Sequence, residues 1–475
     1  MKPLPLFGSG IQSYSAVATS QRRLNCYYDP RVDGDRGSIV IRGTPGSALF
    51  ITLPTAPIRG WKVVNGLLYV VAYDTLYSVQ SSGVATKRGT LLSNSGRVEI
   101  QDNGVQVIIV DGVYGYVYTI ATTTLAKITD VNFPNGATTI CFLNGRFQVE
   151  KSGTRQFIVG QLYDGANWTP YTFATKENES SNLVAVETTN GNLILWGAAS
   201  IEFWQDVGTS PLPYQRINGA TQSWGLAAVA SRALLLNTEF FLGVNPQGRV
   251  QVIELQGYTP TPISTSDIDS IINKFRIVAD ATALCYVIDG HSMYQITFPD
   301  GNRSFLYDAK TKLWQEVQTG IALTGRHFAQ YGISFNSVNY VCDTTSGNIY
   351  KLDQNYYTDN GLPIKRQLRS KHVRMDGNVF GVSELYLDIE TGIGLQTGQG
   401  SDPTMMISVS KDGGRTFGPQ RMVAMGRVGQ YLSPRLITRR WGMSRDFVWE
   451  FTVTDPVKFV VVGGSVVPLV QEGAQ

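Results

Sequence analysis

The stretch Asn65-Gly66-Leu67-Leu68-Tyr69-Val70-Val71, followed by Thr75-Leu76-Tyr77-Ser78-Val79, decides the fold. An Asn-Gly pair tolerates the positive φ that a two-residue hairpin turn demands, and the apolar and aromatic runs beside it read as strands. The unit returns at Asn103-Gly104 with Val107-Ile108-Ile109-Val110 and Tyr116-Val117-Tyr118, and again at Asn144-Gly145. It appears at Asn190-Gly191 with Leu193-Ile194-Leu195-Trp196 and Ile201-Glu202-Phe203-Trp204. Degenerate copies follow near Ala283, with Asp289-Gly290 and Met293-Tyr294-Gln295-Ile296, and near Val338, with Ser346-Gly347 and Ile349-Tyr350-Lys351-Leu352. The first four anchors are 38, 41 and 46 residues apart, close to the roughly 40–50 residue spacing of propeller blades. A small twisted sheet cannot cover its own faces, whereas a ring of sheets leaves few open edges. The fold class is therefore expected to be all-β, a β-propeller of six or seven blades.

Working outward, residues 1–60 read as an irregular lead-in with short strands, such as Leu24-Asn25-Cys26-Tyr27-Tyr28. Residues 61–360 hold the repeat, which stops at Asn360-Gly361-Leu362-Pro363. Residues 361–475 alternate apolar and polar over Leu385 to Glu390, Met405 to Ser410, Phe447 to Val453 and Lys458 to Val462, as a separate C-terminal β-sandwich does. Ser266 to Phe275 has an N-cap and apolar spacing suited to a short helix between blades.

The composition narrows the function. Charged residues are 16% of 475, low for a free-standing surface; a chain that hides area in an assembly and a polar surface rich in Ser, Thr, Asn and Gln account for this equally well. The net charge of +3 is unevenly placed: residues 361–475 hold 14 Lys+Arg against 10 Asp+Glu. Lys365, Arg366, Arg369, Arg374, Arg439 and Arg440 are the candidate contacts to a partner or to DNA in a lumen, because clustered cations attract phosphate without reading sequence. Cys26, Cys141, Cys285 and Cys342 are far apart, as buried free thiols are. The start lacks a signal-peptide apolar region, and no apolar run approaches the ~18 residues of a membrane span.

Catalytic patterns are missing. His291, His327 and His372 have no metal-ligand spacing, no nucleophile elbow occurs, and no cofactor is implied. Ser410-Lys411-Asp412-Gly413-Gly414-Arg415-Thr416-Phe417 matches an Asp-box, in which the acid closes a hairpin turn. Tyr163 to Trp168 and Tyr307 to Trp314 resemble kelch-type hairpins, whose Trp fits between blades. The rival readings are a glycan-binding or sialidase-like propeller, and a host-cell protein-interaction propeller. The aromatic content and the single Asp-box keep the first in view, but no arginine triad or tyrosine–glutamate pair is singled out by spacing.

Together, the segments resemble the tail hub, or packaged DNA stabilisation, proteins of short-tailed lambdoid bacteriophages. The resemblance is carried by the Arg42-Gly43-Thr44-Pro45-Gly46 turn, by Asn192 to Trp204, and by Ile263 to Ile272. The hairpin at Ser410 to Gly413, Arg439-Arg440-Trp441-Gly442 and the closing strands through Val462 complete it, in order along nearly the whole chain. It implies a non-enzymatic virion protein of the tail, made in the host bacterial cytoplasm. It implies a homo-oligomeric, six-fold ring below the portal and its adaptor, carrying a tail needle or nozzle-tip protein and tailspikes or tail fibres. Such a ring retains packaged DNA, passes the genome at ejection and can touch double-stranded DNA non-specifically. On this reading, charge reversal at Arg366 and Arg369 is expected to weaken ring assembly or DNA retention.

Overall fold

The computed structural model describes residues 1–30, 39–430 and 435–469. Seven small antiparallel sheets stand around one axis. The first blade is Ile58–Val64, Leu67–Ala72, Thr75–Val79 and Ala85–Thr90, and the second runs from Glu99–Asp102 to Thr124–Lys127. The third runs from Ile140–Leu143 to Asp164–Thr175 and the fourth from Leu183–Thr189 to Tyr214–Arg216. The fifth is built on Thr238–Val244, Val250–Gln256 and Thr259–Pro262, with Ala233–Leu235 and Gly225–Leu226 at its inner edge. The sixth is Thr282–Ile288, His291–Phe298, Arg303–Asp308 and Leu313–Glu316. The repeat expected from the turns is thus a seven-bladed propeller.

The turns explain the regularity. The first and second strands are joined by two residues of positive φ at 65–66, 144–145, 190–191, 236–237, 289–290 and 336–337, the geometry whose twist matches that of the strands. At the second blade the Asn103 side-chain amide oxygen accepts from Val105 N and Gln106 N instead, and only Gly104 is at positive φ.

The seventh blade closes the ring with an early strand. Tyr331–Phe335, Val338–Cys342 and Asn348–Asp353 take Gly46–Thr52 as their outer neighbour, with Asn348 opposite Thr52 and Asp353 opposite Gly46. Apolar clusters fill every gap between blades. Val71 and Leu76 meet Val107 and Ile109 between the first and second, and Trp196 meets Phe241 at 4.7 Å between the fourth and fifth. Tyr340, Cys342 and Ile349 meet Leu68, Val70 and Val79 where the ring closes. Trp168 and Trp314 are buried in such gaps, and the Trp314 indole donates to Ile263 O at 2.8 Å.

The sandwich has two sheets around a core that includes Phe447 and Trp449, stacked at 5.2 Å. One sheet runs Cys26–Pro30, Ile39–Gly43, Val460–Leu469, Phe380–Ile389, Arg435–Ser444, with Lys2–Pro3 beside Val460–Leu469. The other runs Arg22–Leu24, Arg366–Arg369, Asp446–Val453, Thr404–Ser410, Arg421–Ala424. The segment expected as a lead-in is therefore divided between both units: its early strands belong to the sandwich and Gly46–Thr52 to the propeller.

Candidate functional site

Arg22–Leu24 fuses the two units into one sheet. It lies parallel to the outer strand of the sixth blade, Leu24 opposite Glu316, and antiparallel to Arg366–Arg369, Arg22 opposite Arg369. A buried polar network crosses the seam. Arg22 and Arg303 both reach Glu316, at 2.6 and 3.0 Å, and Arg22 also donates to Gln367 Oε1 at 3.2 Å. The Asn25 amide donates to Gln318 O at 3.0 Å and Lys365 O at 2.9 Å, and accepts from Gln318 N at 2.9 Å. His291 stands between Asp308, at 2.8 Å, and Asp29, at 3.4 Å, while Arg42 bridges Asp29 and Asp289. Buried ionic networks add little net stability over apolar packing, but their geometry admits few alternatives. This seam fixes the sandwich against the sixth and seventh blades.

The six basic residues named from the sequence separate into two groups. Lys365 is half-buried, and burial together with the charges of Arg22 and Arg369 lowers its pKa. Arg366 is 1% exposed. Arg369 is held by Glu450 at 2.5 Å and Gln12 at 3.0 Å, and its guanidinium lies 4.7 Å over the Phe417 ring. These three belong to the seam, where Arg369 is paired with Glu450 and Arg366 is buried. Arg374, Arg439 and Arg440 face solvent. Arg374 pairs with Asp446 at 2.8 Å, and Arg439, 68% exposed at its side chain, pairs with Glu384 at 2.7 Å. Arg439 and Arg440 lie on Arg435–Ser444, the last strand of its sheet. Arg421 donates to both of their carbonyls, at 2.6 and 2.9 Å, so the edge is partly capped.

The propeller axis is a feature that sequence reasoning missed. Its innermost strands surround a cavity of about 740 Å³ lined by Lys62, Arg97, Glu99, Arg232 and Tyr331 among others. Arg232 pairs there with Glu187 at 2.8 Å and Glu99 at 3.3 Å. Glu239 beside them is buried, and desolvation with the nearby Glu187 charge pushes its carboxyl well up. At about 740 Å³ the cavity has the volume of a small-molecule site, not of a passage for a DNA duplex. Among the described residues no group of three His, Cys, Asp or Glu is gathered that could hold a metal ion, and no helix is long and apolar enough to cross a membrane. The Asp-box does turn work: Asp412 accepts from Ser410 Oγ at 2.6 Å and from the Arg415 and Thr416 amides, and these bonds hold its carboxyl well below the usual range.

Residues 31–357 match the family model described as bacteriophage P22 Gp10, beta-propeller, and residues 365–467 match the model described as bacteriophage P22 Gp10, beta-sandwich. No curated protein matches the sequence. Among solved structures, the extracellular domain of the hybrid two component system BT4673 from B. thetaiotaomicron is 7% identical with a TM-score of 0.43, over 65% of this chain and 39% of that one. The N-terminal domain of Nup159 is 10% identical with a TM-score of 0.41, over 69% of this chain and 98% of that one. The WD40 domain of Neurospora crassa Pan2 is 10% identical with a TM-score of 0.41, over 68% and 97%.

Proposed function

Because this chain belongs to the bacteriophage P22 Gp10 family, whose members are tail hub and DNA-stabilisation proteins of the virion, we propose that it works mechanically and without catalysis, as one copy in a six-fold ring below the portal and its adaptor. The observation that carries this reading is the succession of the two family matches, one on the propeller and one on the sandwich. The ring seats the tail needle or nozzle tip, carries the tailspikes or fibres, retains the packaged genome and passes it at ejection. The chain is made in the host bacterial cytoplasm and joins the particle there.

The structure suits such a role in two ways. The seam at Arg22–Leu24 makes propeller and sandwich one stiff unit, so a load on the sandwich reaches the propeller undamped. The axial cavity is too small for duplex DNA, so on this reading the genome passes along a lumen between copies. Arg374, Arg439 and Arg440 are the exposed contacts of choice, to an acidic neighbour or to DNA phosphates. Contacts that close after a fixed rotation give a ring of defined number. Native mass spectrometry of the purified chain with a portal–adaptor complex tests the stoichiometry. Six added copies per complex are expected, and any other fixed number refutes the six-fold ring.

A further inference from the structure

The seam contains a buried cation with no ion-pair partner among the described residues. Arg366 lies on Arg366–Arg369 opposite Val453, and its guanidinium passes beneath Gly43. A Cβ at residue 43 would stand 2.4 Å from Arg366 Nε, so glycine is required there. Among the described residues, Arg366 Nε and Nη1 have no hydrogen-bond acceptor. A guanidinium does not shed its proton in a protein, and a buried charge is costly unless it is paired and hydrogen-bonded.

The surroundings offer little relief. Arg366 lines a cavity of about 40 Å³ together with Arg42, Gln354, Tyr357, Lys458 and neighbouring backbone. Among the described residues no carboxylate lines it. Arg42 and Lys458 add positive charge, and their carboxylates, Asp29, Asp289 and Glu390, are outside the lining. The nearby Asp359 is bonded to Ser47 Oγ at 3.3 Å, and burial raises its carboxyl to about 7, so it is a weak counter-charge. Burial likewise raises the neighbouring Cys26 thiol to about 12, which leaves it neutral.

We propose that this cavity holds a small phosphate-class oxyanion, bound by Arg366 and shared between the seventh-blade loop at Gln354 and the sandwich loop at Lys458, just before Val460–Leu469. Size supports it: one water needs roughly 10–15 Å³ in this measure, so a space of about 40 Å³ takes a group larger than a single water, on the scale of a small oxyanion. Chemistry narrows the choice. The Gln354 amide nitrogen is committed to Gly43 O at 2.7 Å, and its buried Oε1 has no donor among the described residues. An oxyanion that keeps a proton at neutral pH, as phosphate does, satisfies the Arg366 donors and the Gln354 acceptor together. Sulfate and chloride satisfy only the first.

The inference goes beyond the tail-hub reading and stands or falls separately, because its test uses the isolated full chain. Thermal unfolding is followed in a phosphate-free buffer while inorganic phosphate, sulfate or chloride is added at constant ionic strength. Phosphate is expected to raise the midpoint saturably, on the order of a few degrees at roughly 100-fold excess over its dissociation constant, and to exceed sulfate. Arg366→Met is expected to abolish the saturable response, and Gln354→Leu, which leaves the seam cation in place, to erase the preference for phosphate over sulfate. Equal midpoints in the three salts overturn the proposal. So does an unchanged phosphate preference in Gln354→Leu, which decides the matter if Arg366→Met does not fold. A high-resolution density map in phosphate buffer with only waters in the cavity overturns it as well.

Discussion

Replacing Asn25 with alanine is the sharpest test of the seam. Asn25 is 1% exposed, and its side chain makes three hydrogen bonds, to Gln318 O, Gln318 N and Lys365 O. Each such bond contributes about 1 kcal/mol net, and more where a buried partner is left unmade. Asn25 also sits at φ +53, where a residue with a Cβ and no local hydrogen bond loses about 1–2 kcal/mol. Asn25→Ala is therefore expected to cost about 4–5 kcal/mol. Asn25→Gly loses the same bonds without the backbone penalty and should cost about 3 kcal/mol. The assay is hydrogen exchange with mass spectrometry across a urea series, because a chain with two units need not unfold in one step. Peptides covering 313–318, on the sixth blade, and 446–453, in the sandwich, should lose protection by similar amounts. A loss under about 0.5 kcal/mol, or one confined to a single side of the seam, would refute the claim that Asn25 joins the two units.

Further outcomes follow from the same geometry. Arg366→Glu should lower the unfolding midpoint, since it removes the long buried side chain that packs beneath Gly43, whereas Arg439→Glu with Arg440→Glu should fold normally and act only on assembly, read by circular dichroism and by incorporation into particles. Gly10→Ala should destabilise the chain by at least 1–3 kcal/mol in denaturant titration, because its Cβ would stand 2.1 Å from Trp314 O on the sixth blade. For Asp359, with a folded value raised to about 7 against an ordinary 3.8, the folded state holds a proton that the unfolded state has released. Its stabilising effect is full below about pH 4 and is lost as pH rises through 7, at about 1.4 kcal/mol per unit. The stability of the parent relative to Asp359→Asn should thus fall between pH 4 and 7, and a flat difference would contradict the burial argument.

The blades were legible because local turn chemistry wrote them. Asn65-Gly66, Asn144-Gly145, Asn190-Gly191 and Asp289-Gly290 all occupy the two-residue turns assigned to them. The equivalent turns at Leu236-Asn237 and Asn336-Ser337 contain no glycine and gave no signal. Ser346-Gly347 lies in the loop between Val338–Cys342 and Asn348–Asp353, where Ser346 is bonded to Asp343, and its glycine also permits a close approach: a Cβ at Gly347 would lie 2.7 Å from Thr55 O and 2.8 Å from Leu53 O, beside the closing strand. The early strands were opaque for a different reason. Arg22 pairs with Arg369 and Ser47 with Leu352, and pairings across hundreds of residues leave no local pattern. The basic residues show the same limit. Arg366, Gln367 and Leu368 are consecutive and all buried, because neighbouring structure covers both faces of their strand. Composition identified the cations but not the direction in which they point.

On the function proposed above, genome retention depends on this chain. A nonsense mutation in its coding sequence, in the phage that encodes it, tests this most directly. Particles are collected without suppression and scored for packaged DNA and for tail density by electron microscopy. Heads are expected to package and then leak, with portal and adaptor present and the lower tail missing. Heads that keep their DNA and carry a complete tail would contradict the proposed function.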